Sequence, residues 1–595
     1  MITLGELRRL SKAVGPILKN AIVSGRLFRP QCVLTEPEPD ILCEYDVRIP
    51  LADGTQATAN VFRSKRADDA SERLPAIMCA HPYDNHLIPA LGNTPFGGPP
   101  RQYRLIPQEG KPSFSTLTSW ESPDPNFWVR AGYAVVNMNM PGFANSGGAP
   151  GLSSLEQAEA FAEAIDWIGA QPWCTGKVGL NGVSFLAISQ YAVAAGQTSR
   201  GVPASLKAIC PWEGIGDIYR EMFFEGGIEE QGFPVFWWHT EVKPTINCSE
   251  QEFVEIEGQL PQDMARAHPF YDDYWRAKVP KVADIDVPMM ICASFSDQGL
   301  HTRGSFRIFR EARSKQKWVY THRHLKWDAY YSREVQELTK SFFDCFLKDE
   351  GADAFLRRDP VRLEVRSARE TIHEVRGERE WPLARTRYET LFLSPGGILA
   401  PDAPAAPGEL SYDAQTGECR ASYTFEEDTE LTGYMKLRLW VEARAGALGP
   451  PPDDMALFIG VEKLDQHGRR IRFFGSVGNF DDLMTRGLLA VSRRALDEEA
   501  STQWEPVLRN EKDEKLSPGE IVPVEIALNP SSTFFRRGEG VELVISGHEI
   551  VASPPYIKAN QCNRGIHIMH AGGEYDSHLL IPVVPPAAEP PRAQG

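Results

Sequence analysis

Along residues 45 to 350 the apolar positions fall into short β-type runs that alternate with longer stretches of helical periodicity. Runs at 57–62, 76–80, 134–138, 178–180, 208–210, 288–293 and 318–321 predict strands, and 154–169, 185–196, 304–312 and 332–349 predict helices between them. This alternation builds a mostly parallel sheet covered on both faces, with chemistry in the loops at the carboxyl ends of its strands. Between 213 and 285 the alternation stops and aromatic residues accumulate, including Phe236, Trp237 and Trp238. Such an insertion predicts a helical cap whose rings either line a pocket or pack the cap onto the sheet. After about 365 the runs are β-type (433–441, 455–462, 521–527 and 540–545) and separated by Gly/Pro turns, the texture of an all-β jelly roll.

The expected organisation is therefore an α/β unit at 1–212 and 286–355, a cap at 213–285, a jelly roll at 356–585 and a solvated tail at 586–595. A chain of 595 residues exceeds one hydrophobic core, which agrees with several domains. The net charge of −17, with no basic block, argues against nucleic acid or an anionic membrane as partner. Residues 2–22 carry Glu6, Arg8, Arg9 and Lys12 and predict an amphipathic helix rather than a secretory signal. The cysteines are scattered without a CxxC pair, which points to reduced core thiols and a cytoplasmic protein. Homo-oligomerisation stays open.

The sharpest chemical signal is Gly182-Val-Ser184-Phe185-Leu-Ala187, set between a predicted strand and a predicted helix. A nucleophile elbow needs a tight strand-to-helix turn with small neighbours, lifting a serine hydroxyl above the sheet. Free N–H groups at the helix start then favour developing negative charge. The alternatives are a helix-capping serine and a dinucleotide loop, whose glycine spacing and acidic partner are missing here. In an α/β-hydrolase the acid and the histidine follow the serine in that order. Asp297 follows one predicted strand and His322 directly follows the next. His324 is the rival histidine; His301, four residues from Asp297, is set aside for that closeness.

Several stretches together resemble the cocaine-esterase-like family, which includes Xaa-Pro dipeptidyl peptidases and α-amino-acid ester hydrolases. They are Asp166-Trp167, Gln171-Pro-Trp173, Gly176-Lys-Val-Gly179 and the elbow; His81-Pro-Tyr83-Asp84; Ser296-Asp297; Tyr320-Thr-His322 with Lys326-Trp327; Thr429 to Gly433; and His578 to Pro582. The resemblance spans roughly 45 to 585 and implies an α/β-hydrolase with a cap and a carboxyl-terminal jelly roll. It implies a triad of Ser184, Asp297 and His322, and an oxyanion hole made of the Tyr83 hydroxyl and the Phe185 N–H. Phe185 stands where tyrosine is frequent. Asn139 and Pro141 lack the Asp and Arg often found there, which puts any ion pair at that point in doubt.

The expected activity is hydrolysis of a small-molecule ester or amide through an acyl-enzyme, with a bulky apolar or aromatic acyl group. Trp212, Phe236, Trp237 and Trp238 are the pocket candidates. The alternative is an Xaa-Pro dipeptidyl peptidase or amino-acid ester hydrolase. That chemistry needs carboxylates for a substrate ammonium; Glu225, Glu229 and Glu230 are the candidates, in a stretch that looks exposed. A non-catalytic jelly-roll binding protein is the reading from another class. His81 and His86 flank Tyr83 without a third ligand, so neither metal nor cofactor is expected.

Overall fold

The computed structural model describes residues 4–23, 25, 32–66, 72–86, 103, 106–446, 449–559 and 562–585; the expected tail at 586–595 lies outside them. A twisted sheet forms the first layer, in the order Ile41–Pro50, Gln56–Ser64, Ala134–Asn139, Leu74–His81, Cys174–Val183, Leu206–Trp212, Met289–Ser294 and Lys317–His322. The pairs formed by Gln56–Ser64 are antiparallel and all later ones are parallel. The parallel strands are buried along nearly their whole length, as a sheet covered on both faces requires.

The helices Leu155–Gly169, Phe185–Ala194, Thr302–Glu311 and Arg333–Phe343 follow the expected periodicity. Ser154 and Ser332 cap two of them by accepting N–H bonds from Gln157 and Val335. Predicted strands were too short mainly at their ends: the strand expected at 178–180 runs from Cys174 to Val183. Near the amino end the helix is Leu4–Val23, and among the described residues no helix is long and apolar enough to cross a membrane.

Residues 213–285 form short helical turns, among them Phe233–Trp237 and Glu250–Glu257, and one short β pairing; Trp237 and Thr245 donate hydrogen bonds to Tyr83 and Pro82, just past the carboxyl end of Leu74–His81. From Val361 onward the long elements are strands. Lys436–Arg444 pairs with Val522–Ala527 and Ile566–Ala571, while Ala456–Leu464 pairs with Gly540–Ser546 and Thr485–Ala490. Leu437, Leu439, Val441, Ile459, Val461 and Leu543 fill the space between these sheets. The fold is thus an α/β sheet with helices followed by a β sandwich. Residues of that second unit, Ser476 and Tyr556, reach the loop that carries Asp297.

Candidate active site

Ser184 joins the strand Cys174–Val183 to the helix Phe185–Ala194 with φ 58° and ψ −116°. A left-handed backbone at a non-glycine residue costs about 1–3 kcal/mol and persists only where its surroundings over-determine it. Here the Ser184 N–H donates to the Trp212 carbonyl at 3.0 Å and the Val183 N–H to the Glu121 carbonyl at 3.2 Å. Ala187 and Ile188 donate back to the Ser184 carbonyl at 2.9 Å. A Cβ on Gly182 would sit 2.5 Å from Leu186 Cβ, so the elbow closes only on glycine. As the first helical residue, Phe185 has an N–H that the helix's own ladder does not use.

The histidine beside this serine is His301. Its Nε2 lies 3.1 Å from Ser184 Oγ and 3.9 Å from Asp297 Oδ2. The separation of four residues that argued against His301 is what brings it there. The Asp297 carbonyl accepts the N–H groups of Leu300, His301 and Thr302 at 3.2, 3.0 and 3.0 Å. The chain therefore turns at once into the helix Thr302–Glu311, and Asp297 and His301 fall on one side of that turn. With Nε2 accepting the serine hydroxyl, the ring proton resides on Nδ1, which is buried without a partner among the described residues. Burial, then the charge of Lys326, pushes His301 down to about 3, against the pull of Asp297. The ring is neutral at physiological pH and its lone pair faces the hydroxyl.

Asp297 is buried, which by itself would raise its pKa; Lys326, then His301, instead hold it below the usual carboxylate range. Its nearer partner is the Lys326 ammonium, 2.9 Å from Oδ2. The carboxylate therefore stands on the Nε2 side of the histidine, unlike a serine–histidine–aspartate relay in which it bonds Nδ1. Opposite charges about 4 Å apart interact by about 4 kcal/mol at an effective dielectric of about 20. Asp297 thus opposes, without outweighing, the effect of burial and of Lys326 on the His301 ring.

His322 ends its strand as expected, but its Nε2 faces Glu213 Oε1 at 3.0 Å, and both side chains are fully buried. Its ring stacks on Trp212 with centroids 5.7 Å apart. Glu213 follows Trp212 directly with φ 51°, so the His322–Glu213 pair braces the strand end whose carbonyl holds the Ser184 N–H. His324 Nδ1 contacts Glu109 at 2.6 Å. Nothing in the sequence around Glu213 marks it as this partner, because the strands ending at Trp212 and His322 are brought near each other only by sheet order, with Met289–Ser294 between them.

Tyr83 is buried beside the elbow, its ring edge-on to Phe185 at 6.1 Å. The Trp237 indole N–H donates to Tyr83 Oη at 3.1 Å, so the tyrosine's own proton remains free to be donated elsewhere. Burial, then Glu241 and Glu121, raises the Tyr83 hydroxyl well above its usual range, keeping it a neutral donor. Trp237 also stacks on Phe185 at 5.9 Å and 26°. Of the other pocket candidates, Phe236 neighbours Phe233 at 6.4 Å, Trp238 packs on Phe253 at 4.9 Å, and Trp212 lies beneath the elbow against His322. The structure thus brings Trp237 to Tyr83 and Phe185 and turns Trp238 into the cap's interior.

One expectation about charge is corrected. Glu225 and Glu230 are buried, not exposed: Arg486 lies 2.9 Å from Glu225, and Lys558 lies 3.3 Å from Glu225 and 3.4 Å from Glu230. These carboxylates bind the cap to the β sandwich, where burial without a cation would be strongly unfavourable. Asn139 is buried in a neutral network, accepting the Asn85 N–H at 2.9 Å and donating to Thr58 Oγ1 at 3.2 Å, with no ion pair at this point among the described residues.

Among the described residues, two groups place three metal-ligating side chains together: Glu213, Cys292 and His322, and Glu409, Glu442 and His570. In the first, Glu213 and His322 already face each other. In the second, Arg444 bonds both carboxylates, a cation where a metal ion would sit.

Residues 53–326 match the X-Pro dipeptidyl-peptidase (S15 family) domain, and residues 354–580 match the X-Pro dipeptidyl-peptidase C-terminal non-catalytic domain. A CocE/NonD family hydrolase from Staphylococcus aureus of known structure is 35% identical, with a TM-score of 0.79 over 92% of this chain and 94% of that one. Cocaine esterase from Rhodococcus sp. (strain MB1 Bresler) is 23% identical over 91% of this chain and 98% of its own. An α-amino acid ester hydrolase shares the fold, with a TM-score of 0.66 and 14% identity over 91% of this chain and 97% of that one.

Proposed function

The chain belongs to the CocE/NonD family of hydrolases, and from that premise we propose that Ser184 attacks the scissile carbonyl with His301, rather than His322, as its base. It is a serine hydrolase acting on ester or amide bonds. The observation that carries the assignment of the base is the 3.1 Å contact between His301 Nε2 and Ser184 Oγ. In this reading Nε2 takes the hydroxyl proton as Oγ bonds to the carbonyl carbon. The imidazolium then returns the proton to the leaving alkoxide or amine, and water repeats the sequence on the acyl-enzyme. Asp297 favours the imidazolium, while Tyr83 Oη and the Phe185 N–H donate to the oxyanion.

The preferred acyl group in this proposal is neutral and apolar. Trp237 and Phe185 supply ring surface beside the serine, and the cap carboxylates Glu225 and Glu230 are occupied by Arg486 and Lys558. A reading as aminopeptidase or amino-acid ester hydrolase rests on Glu121 and Glu241, whose charges act on Tyr83. Burial, however, pushes Glu121 up to about 8, which weakens it as a carboxylate for a substrate ammonium. A cytosolic location is supported by cysteines that form no disulfide among the described residues.

Covalent labelling by a fluorophosphonate tests the assignment. Wild type is expected to label at one residue; Ser184→Ala abolishes labelling and lowers kcat about 10⁴- to 10⁶-fold, and His301→Ala slows labelling by a comparable factor. Labelling of His301→Ala at the wild-type rate overturns the role of His301, and labelling of Ser184→Ala overturns the nucleophile.

A further inference from the structure

Lys326 has no assigned part in the reaction, although it stands closer to Asp297 than any histidine does. It begins the short helix Lys326–Tyr330. The ammonium lies 2.9 Å from Asp297 Oδ2, the same oxygen that faces His301 Nε2 at 3.9 Å. The lysine is anchored from behind. Trp327, its neighbour in sequence, donates its indole N–H to Glu121 Oε1 at 2.9 Å, and the Glu121 carbonyl in turn accepts the N–H of Val183, the residue before the nucleophile.

We propose that Lys326 is the positioning residue of this site: its ammonium fixes the carboxylate that faces His301 and sets itself against a second positive charge on that ring. The proposal rests on His301 being the base. One carboxylate oxygen is divided between a permanent cation and one that exists only during catalysis. Lys326 aims Asp297 through the nearer contact, and its charge opposes protonation of His301. The imidazole therefore stays neutral into acidic solution, and Asp297 stays ionised.

The charged and titratable groups involved come from each surrounding element. Asp297 and His301 lie on the loop and turn after Met289–Ser294, and Lys326 lies on the helix after Lys317–His322. Glu121 and Glu213 act on Lys326 from the segments before the elbow and after Leu206–Trp212, and Tyr556 of the β sandwich feels Asp297. Burial opposes the charge on Lys326, but Asp297, ahead of every other group, holds the amine above its usual range, so it remains a cation wherever the enzyme works. The sign follows directly. Removing a cation beside His301 raises that histidine's pKa, and it frees Asp297 to act on the ring alone, which raises it again.

The experiment compares kcat/KM for a p-nitrophenyl ester from pH 5 to pH 9 in wild type, Lys326→Met and Lys326→Arg. Wild type is expected to show no acid limb across this range. In Lys326→Met the limb moves up by about two to three pH units and enters it, whereas Lys326→Arg, which keeps the cation, leaves the profile flat. A lysine that served only the fold would lower activity at every pH without moving the limb. If Lys326→Met does not fold, Lys326→Gln takes its place: it keeps a polar donor to Asp297 without the charge, and the limb is expected to enter the range. A limb that stays outside the range in the folded, uncharged variant overturns the proposal. Should His301→Ala retain wild-type labelling by fluorophosphonate, the base assignment itself has failed. A dead His301→Ala beside an unmoved limb in Lys326→Met refutes Lys326 alone.

Discussion

Replacing His322 with alanine separates a structural histidine from a catalytic one. His322 and Glu213 are both fully buried, 3.0 Å apart, so the variant leaves a buried carboxylate without its partner. Breaking a buried pair in this way typically costs about 3–5 kcal/mol. With about 2–4 °C of Tm per kcal/mol for a domain of roughly 150–250 residues, the expected loss is about 6–20 °C. Removal of Glu213 as well is expected to recover part of that loss, because the double variant carries no orphaned charge. Thermal unfolding followed by circular dichroism measures the shift, and kcat is read well below the midpoint of the variant. At that temperature His322→Ala should lose far less than the factor of about 10⁴ to 10⁶ expected from deleting a catalytic base. The reasoning is refuted if His322→Ala keeps the wild-type Tm and loses about 10⁴-fold or more in kcat, since His322 would then be the base.

Two further outcomes follow from the oxyanion side and from the cap. Tyr83→Phe removes the donor proposed for the oxyanion and is expected to lower kcat about 100- to 1000-fold with little change in KM. It also strands the buried Trp237 N–H that donates to Tyr83 Oη, at a cost of about 1–3 kcal/mol, so Tm should fall together with kcat; an unchanged kcat would make Tyr83 a packing residue. A phenylacetyl or benzoyl ester should exceed the matching phenylglycine ester in kcat/KM, because Glu225 and Glu230 are already paired with Arg486 and Lys558. A preference above tenfold for the amino ester would favour the aminopeptidase reading and direct mutagenesis to Glu121 and Glu241.

The sequence by itself determined the order of elements, the elbow and the two-part architecture, because each of these is written locally. Hydrophobic period separates strand from helix. Gly182 with Ser184 marks a turn that only a small residue can close, and the β-type runs after 365 have no helical partners. Asp297 was likewise placed by its position after a strand. The partner of each charged group was decided only by tertiary structure. His301 looked too near Asp297 along the chain, yet the turn closed on the Asp297 carbonyl brings it to the serine, while His322, placed correctly at its strand end, spends its ring on Glu213. Glu225 and Glu230 looked solvated because their cations, Arg486 and Lys558, lie more than two hundred residues away in sequence, in the β sandwich. Local pattern reports which side chains face inward. Which buried charges meet is a property of sheet order and domain packing, and no window of sequence contains it.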